Sequence, residues 1–211
     1  MNLIARFAAT TATALSLLAM PLVASADTQA DATRLRDSRT AERFDQPSDA
    51  SIRTGGAQIF VNAPLSVVRQ IVTDYAHYQD FMPGFKRSRI VQHNKDFSDV
   101  YLQVPILHGA ATVWAVTRFA KPVRQANGTE VIDGTMQQGN VNDFHATWRL
   151  IPVDADHTIL RSELLIVPKL PLPTSVVTPE LSYAADKAVT ATRTRAETDA
   201  TRVASANPAT P

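Results

Sequence analysis

From residue 143 onward the chain alternates apolar and polar positions with a period of two. Phe144, Ala146, Trp148 and Leu150 fall on one face, and His145, Thr147 and Arg149 on the other. Residues 160–166 repeat the pattern, with Leu160, Ser162, Leu164 and Ile166 opposed by Arg161, Glu163 and Leu165. Such alternation marks strands with one buried face, and a slip of one residue would exchange the faces. A turn centred on Ala155 sets Leu150 opposite Leu160, Trp148 opposite Ser162, Ala146 opposite Leu164 and Phe144 opposite Ile166. A second turn centred on Asn140 sets Met136 opposite Phe144, Gly134 opposite Ala146 and Ile132 opposite Trp148. One apolar face is thereby predicted to span three strands.

The same reading places the other elements. A short β-type run at 57–61 ends at Asn62-Ala63-Pro64, and Pro64 suits the first turn of a helix, where its missing N–H would be unpaired anyway. That helix is expected from Pro64 to about Tyr78, with Leu65, Val68, Val72 and Tyr75 on one stripe and an apolar elbow at Phe81, Met82 and Pro83. Between residues 85 and 167, turn signals at Asn94-Lys95-Asp96, His108-Gly109, Asn127-Gly128, Gly139-Asn140 and Asp154-Ala155-Asp156 divide β-forming runs into six antiparallel strands, or seven with the first. For residues 110–119 the pattern leaves open whether Trp114 or Val113 faces inward. Pro168, Pro171 and Pro173 stop the sheet, and a last helix is expected from Thr178, as N-cap, and Pro179 to about Thr198. Its inward stripe reads Leu181, Ala184, Ala185, Ala188 and Thr192.

The two ends look different. Arg6 is the only charge in residues 1–26, and the apolar stretch after it closes on Ala24-Ser25-Ala26, the pattern of a signal peptide cleaved after Ala26. This predicts a periplasmic or secreted protein. Residues 27–50 carry ten charges in 24 positions, with Leu35 and Phe44 as the only large apolar groups, and 198–211 is mostly Ala, Thr and Pro. Both read as flexible tails around a folded domain at 51–197.

Charge and composition narrow the function classes. Without residues 1–26 the basic and acidic residues balance, because 21 and 20 become 20 and 20 on removal of Arg6. Nucleic acid is therefore not an expected partner, since phosphate binding needs a basic surplus. The chain has no cysteine, which excludes disulfides, thiolate chemistry and a lipidated cysteine anchor. His77, His93, His108, His145 and His157 lack the spacing of a metal site, so no metal and no cofactor are expected. His145 and Asp133 sit diagonally on neighbouring strands, but the register puts them with Arg149, Arg161 and Glu163 on a solvated charged face.

In the middle of the apolar face stand Gly134, Ala146 and Ser162, below a helix rich in alanine. Small groups facing small groups give either a close helix-to-sheet approach or an unfilled cavity, and composition leaves both open.

The stretch Val72-Thr73-Asp74-Tyr75-Ala76-His77-Tyr78-Gln79-Asp80-Phe81-Met82-Pro83, the hairpin Val104-Pro105-Ile106-Leu107-His108-Gly109 and the Pro-rich lead into the last helix bear on this. In that order they resemble the START-like superfamily, particularly its polyketide cyclase and coenzyme Q-binding branch. The resemblance covers about residues 53–197. It implies an α+β helix-grip fold, a curved antiparallel sheet wrapped around a long C-terminal helix with an apolar ligand between them. It also implies that Asp74 caps or orients the end of the first helix.

On that basis the expected ligand-lining residues are Phe81 and Met82 of the elbow and Leu102 and Val104 of the hairpin. From the three-strand face come Gly134, Met136, Phe144, Ala146, Trp148, Ser162, Leu164 and Ile166, and from the last helix Leu181 and Ala185. Ser162 is the one polar group placed on the wall. The first expectation is an exported binding or carrier protein for a hydrophobic small molecule, a lipid or quinone, with transient membrane contact. The alternatives are a cyclase or aromatase acting in the same cavity, and a ligand-free interaction protein.

Overall fold

The structure is a computed structural model and describes residues 25–106, 109, 111–170 and 172–206. Nearly all of the expected signal peptide lies outside the described residues, as do Leu107 and His108 of the hairpin motif and residues 207–211. The elements are α1 (Ala26–Ser38), β1 (Glu42–Gln46), β2 (Thr54–Val61), α2 (Leu65–Val72), a 3-10 turn (Tyr75–His77), α3 (Tyr78–Phe81), β3 (Arg87–His93), β4 (Phe97–Ile106), β5 (Ala111–Ala120), β6 (Val123–Arg124), β7 (Glu130–Gly139), β8 (Asp143–Pro152), β9 (Thr158–Val167) and α4 (Thr174–Ala206). The strands form one antiparallel sheet in the order β1-β2-β9-β8-β7-β5-β4-β3, with β6 paired to β7. The long helix α4 packs against the inner face, which gives the α+β helix-grip architecture of the START-like fold.

The alternating segments pair as their pattern dictates. Leu150 lies opposite Leu160, Trp148 opposite Ser162, Ala146 opposite Leu164 and Phe144 opposite Ile166. Gly134 faces Ala146 and Ile132 faces Trp148, while the β7–β8 ladder stops at Thr135 and His145, one residue short of Met136. On β5, Val113, Ala115, Thr117 and Phe119 point inward. Trp114 faces outward and stacks on Tyr101 at 6.1 Å.

Four expectations are corrected. Among the described residues the sheet has nine strands rather than six or seven, because β1 adds an edge beside β2 and the two-residue β6 pairs with β7. The first helix ends at Val72 instead of Tyr78: Thr73 turns its hydroxyl back to the Arg69 carbonyl at 2.8 Å, and the chain continues as a 3-10 turn and α3. This break lets both tyrosines enter the core, Tyr75 stacked on Phe119 at 4.7 Å and Tyr78 edge-on to Tyr75. The last helix begins at Thr174 rather than Pro179 and runs to Ala206 rather than Thr198, so residues 198–206 are helical. Pro179 is tolerated because its missing N–H removes one bond, to the carbonyl of Ser175, a surface residue in the opening turn.

Residues 27–50, expected to be a flexible segment, form α1 and β1. In the uncleaved chain Ser25 caps α1 by accepting the Thr28 N–H, a contact that cleavage after Ala26 would remove, and Arg39 ends the helix in the left-handed region at φ 56°. Leu35 and Ala32 pack on the outer face of the sheet against Phe60, Val153 and Ile159. Phe44 lies over Gly56, with the Arg161 guanidinium 4.0 Å from its ring. The two large apolar residues of this segment suffice because the sheet supplies the other half of each contact.

Candidate functional site

Gly55 sets how closely α4 approaches the sheet: a Cβ there would stand 2.5 Å from the Ser182 nitrogen and 2.6 Å from Leu181 Cβ. The helix rests on β2 at this point and leaves the opposite side of the inner face uncovered. Between α4, strands β4, β5, β8 and β9, and the elbow after α3 lies a cavity of about 440 Å³. Its walls are mostly apolar: Leu102, Val104 and Pro105 from β4, Val113, Ala115 and Phe119 from β5, Phe144, Ala146 and Trp148 from β8, and Leu164 and Ile166 from β9. The elbow adds Tyr78, Met82, Pro83, Gly84 and Phe85, and α4 adds Glu180, Leu181, Tyr183, Ala184, Lys187 and Ala188.

Of the residues expected to line it, Met82, Leu102, Val104, Phe144, Ala146, Trp148, Ser162, Leu164, Ile166 and Leu181 are on this wall. Four are elsewhere. Gly134 is covered by Phe119, whose Cε1 lies 2.5 Å from where its Cβ would be. Met136 packs against the edge of the core, and Ala185 is fully buried in it. Phe81 turns away into a neighbouring groove, under the Arg195 guanidinium at 4.6 Å. The cavity-facing stripe of α4 is Glu180, Tyr183, Ala184, Lys187 and Ala188, rotated by one position from the stripe that packs on the sheet. Alternation could have found Val113, Ala115 and Phe119 once Trp114 was turned outward; no sequence signal marked Glu180, Tyr183 or Lys187.

The polar groups of the wall are few. Tyr78 is buried, its hydroxyl donates to the Val72 carbonyl, and burial holds its phenol well above the usual range. Burial likewise raises Tyr75. Both are kept protonated near neutral pH, where a phenol donates a hydrogen bond and cannot serve as a base. Ser162 is 2 % exposed and lines the cavity beside Trp148. Glu180 and Lys187 stand at the rim on α4.

Asp74 ties the elbow to α4. One oxygen meets His77 Nδ1 at 2.6 Å, and the other accepts from Arg195 at 2.8 Å. The hydrogen bond to Asp74, and then its charge, raise the pKa of His77. Asp74, expected to cap or orient the end of the first helix, makes no side-chain cap there and instead ties the elbow to α4.

The outer face has a groove of about 710 Å³ between residues 46–54 and strands β8 and β9. His145 faces it and contacts Asp143 at 3.1 Å, while Asp133 instead accepts from Thr147 at 2.8 Å. Glu163 is buried beneath Arg161 at 2.7 Å and Arg149 at 3.3 Å. These charges pair with one another on the face away from the apolar cavity. Among the described residues there is no cluster of three or more His, Asp or Glu side chains able to hold a metal.

Residues 61–193 match the model of a family described as polyketide cyclase / dehydrase and lipid transport. The chain belongs to this family. That match leaves out α1, β1 and all of β2 but its last residue. Solved structures with the same fold include human StAR-related lipid transfer protein 5, 12% identical, TM-score 0.65, covering 82% of this chain and 96% of that one. A STAR-related lipid transfer protein from Xanthomonas axonopodis is 14% identical, TM-score 0.62, covering 74% and 93%. The Zhui aromatase/cyclase from Streptomyces sp. R1128 is 15% identical, TM-score 0.51, covering 77% and 94%. At these identities the likeness is one of fold. No curated protein matches the chain in sequence.

Proposed function

We propose that this protein is an exported carrier that binds a hydrophobic small molecule, a lipid or a quinone, in the cavity under α4 and moves it through water, with transient contact at a membrane. One observation carries the reading: a cavity of about 440 Å³ walled by aliphatic and aromatic side chains, with its charged groups confined to the rim. Burying a chain of twelve carbons contributes on the order of 10 kcal/mol at about 0.8 kcal/mol per CH2. That exceeds the lower estimates, from about 4 kcal/mol, for the cost of association, so few polar contacts are needed. The signal-peptide pattern expected at residues 1–26 and a sequence that offers no cysteine for lipidation support the export and untethered parts of this reading.

A cyclase acting in the same space would need an acid or base at the reacting atoms. Tyr78 already donates its hydroxyl proton to the Val72 carbonyl, Tyr75 is not on the cavity wall, and among the described wall residues the one carboxylate is Glu180 at the rim. This favours carriage over catalysis. Native mass spectrometry and solvent extraction of the purified protein test the reading: a co-purifying apolar molecule is expected. An empty protein whose melting temperature no lipid or quinone shifts would sink it, and turnover of an added polyketide would replace it with the enzyme.

A further inference from the structure

The cavity does not end at its rim. Pro83 and Lys187 line both the apolar cavity and a second groove, of about 570 Å³, that runs along the outward side of α4. The two spaces differ in chemistry. The groove carries Thr190 and Thr194, one turn apart, together with the cations Arg195 and Arg202. Arg195 is paired with Asp74 at 2.8 Å and Asp199 at 3.9 Å, and Arg202 with Asp199 at 3.1 Å. Lys187 takes part in none of the ion pairs found among the described residues; its ammonium lies 5.1 Å from the Tyr183 ring. Glu180 stands seven residues earlier, about 10 Å along the helix at 1.5 Å per residue. The rim is therefore anionic at one end and cationic at the other, and the cationic end opens onto the groove.

We infer that the ligand is an amphiphile with an anionic head, whose apolar body occupies the cavity while its head sits at Lys187 in the groove along α4. The inference rests on the carrier reading and adds a headgroup class and an orientation to it. Glu180 repels the head from the opposite end, and Lys187 attracts it across a junction where water still reaches. A head without charge gains nothing from this arrangement.

The test titrates the protein with dodecanoate and with methyl dodecanoate, which share an apolar tail, following tryptophan fluorescence in a Trp114→Phe background so that Trp148 on the cavity wall is the reporter. Dodecanoate is expected to bind about fivefold tighter at low salt, the worth of one partly exposed charge contact, with the difference shrinking at high salt. In K187Q the preference should vanish, the affinity for dodecanoate falling to that of the ester. Equal affinities in the parent chain, or a preference that survives K187Q, overturns the headgroup assignment and leaves the carrier reading standing. Binding of neither probe also overturns the headgroup assignment, and the carrier reading then stands or falls on the co-purification and melting measurements above.

Discussion

The ring of Phe119 occupies the space in which a side chain on Gly134 would begin, with Cε1 2.5 Å from the ideal Cβ position and Thr117 Cγ2 at 3.0 Å. The bare backbone of β7 is thus a seat for an aromatic ring of the neighbouring strand, and the ring in turn forms part of the cavity wall. Gly134→Ala should destabilise the protein by about 1–3 kcal/mol through overpacking, read as a lower urea midpoint. Unchanged stability would mean that the ring has somewhere else to go.

Two alanines on one helix should behave oppositely. Ala188 lines the cavity and Ala185 is fully buried against the core. Ala188→Phe is expected to reduce ligand affinity at least several-fold with the melting temperature nearly kept, because the ring enters vacant space. Ala185→Leu is expected to lower stability by about 1–3 kcal/mol, since no space is available. Side-by-side thermal melts and ligand titrations of the two variants check both.

Much of this was readable in advance, and the failures have physical causes. The β8–β9 ladder could be counted because two strictly alternating segments flank a short turn. The position of Phe119 over Gly134 could not, because the β5–β7 pairing shifts register between Val116 and Thr117 and carries every later neighbour with it. On α4 the residues Ala184, Ala185 and Ala188 are indistinguishable by type, so the sequence predicts an alanine stripe without saying which part meets the sheet and which the cavity. Phe81 reads as an inward elbow residue until Arg195, distant in sequence, stacks over it.

The N-terminal segment belongs to the fold through Leu35, which is 1 % exposed against Phe60 and Ile159. Leu35→Ala should cost about 2–5 kcal/mol where α1 docks. Hydrogen exchange is the measurement: the amides of α1 should lose protection while those of β8 and β9 keep theirs. Protection lost uniformly would show α1 to be one cooperative unit with the sheet.

His77 gives the elbow a pH dependence. Its pKa is raised in the fold by Asp74, so the stabilisation it contributes is fully present below its unfolded value near 6.5 and is lost as pH rises through the higher folded value. An NMR titration should find His77 above 6.5 and see it return toward 6.5 in Asp74→Asn. A normal value in the parent chain would mean that the pair does not form in solution.

If residues 1–26 are an export signal, intact-mass measurement of the protein recovered from the periplasm or medium of an expressing cell should give a chain beginning at Asp27. A product retaining Met1 in the membrane fraction would point to an anchor instead.

Gly55 and Gly56 carry one further consequence. They are neighbours on β2 facing opposite ways, one pressed by the backbone of α4 at Ser182 and the other by the Phe44 ring. Where side chains hold two layers apart, they can change rotamer and let the gap breathe; here the spacer is main chain, which cannot. The clearance under α4 is therefore a fixed gauge, and molecules should be sorted by thickness before any polar contact is made.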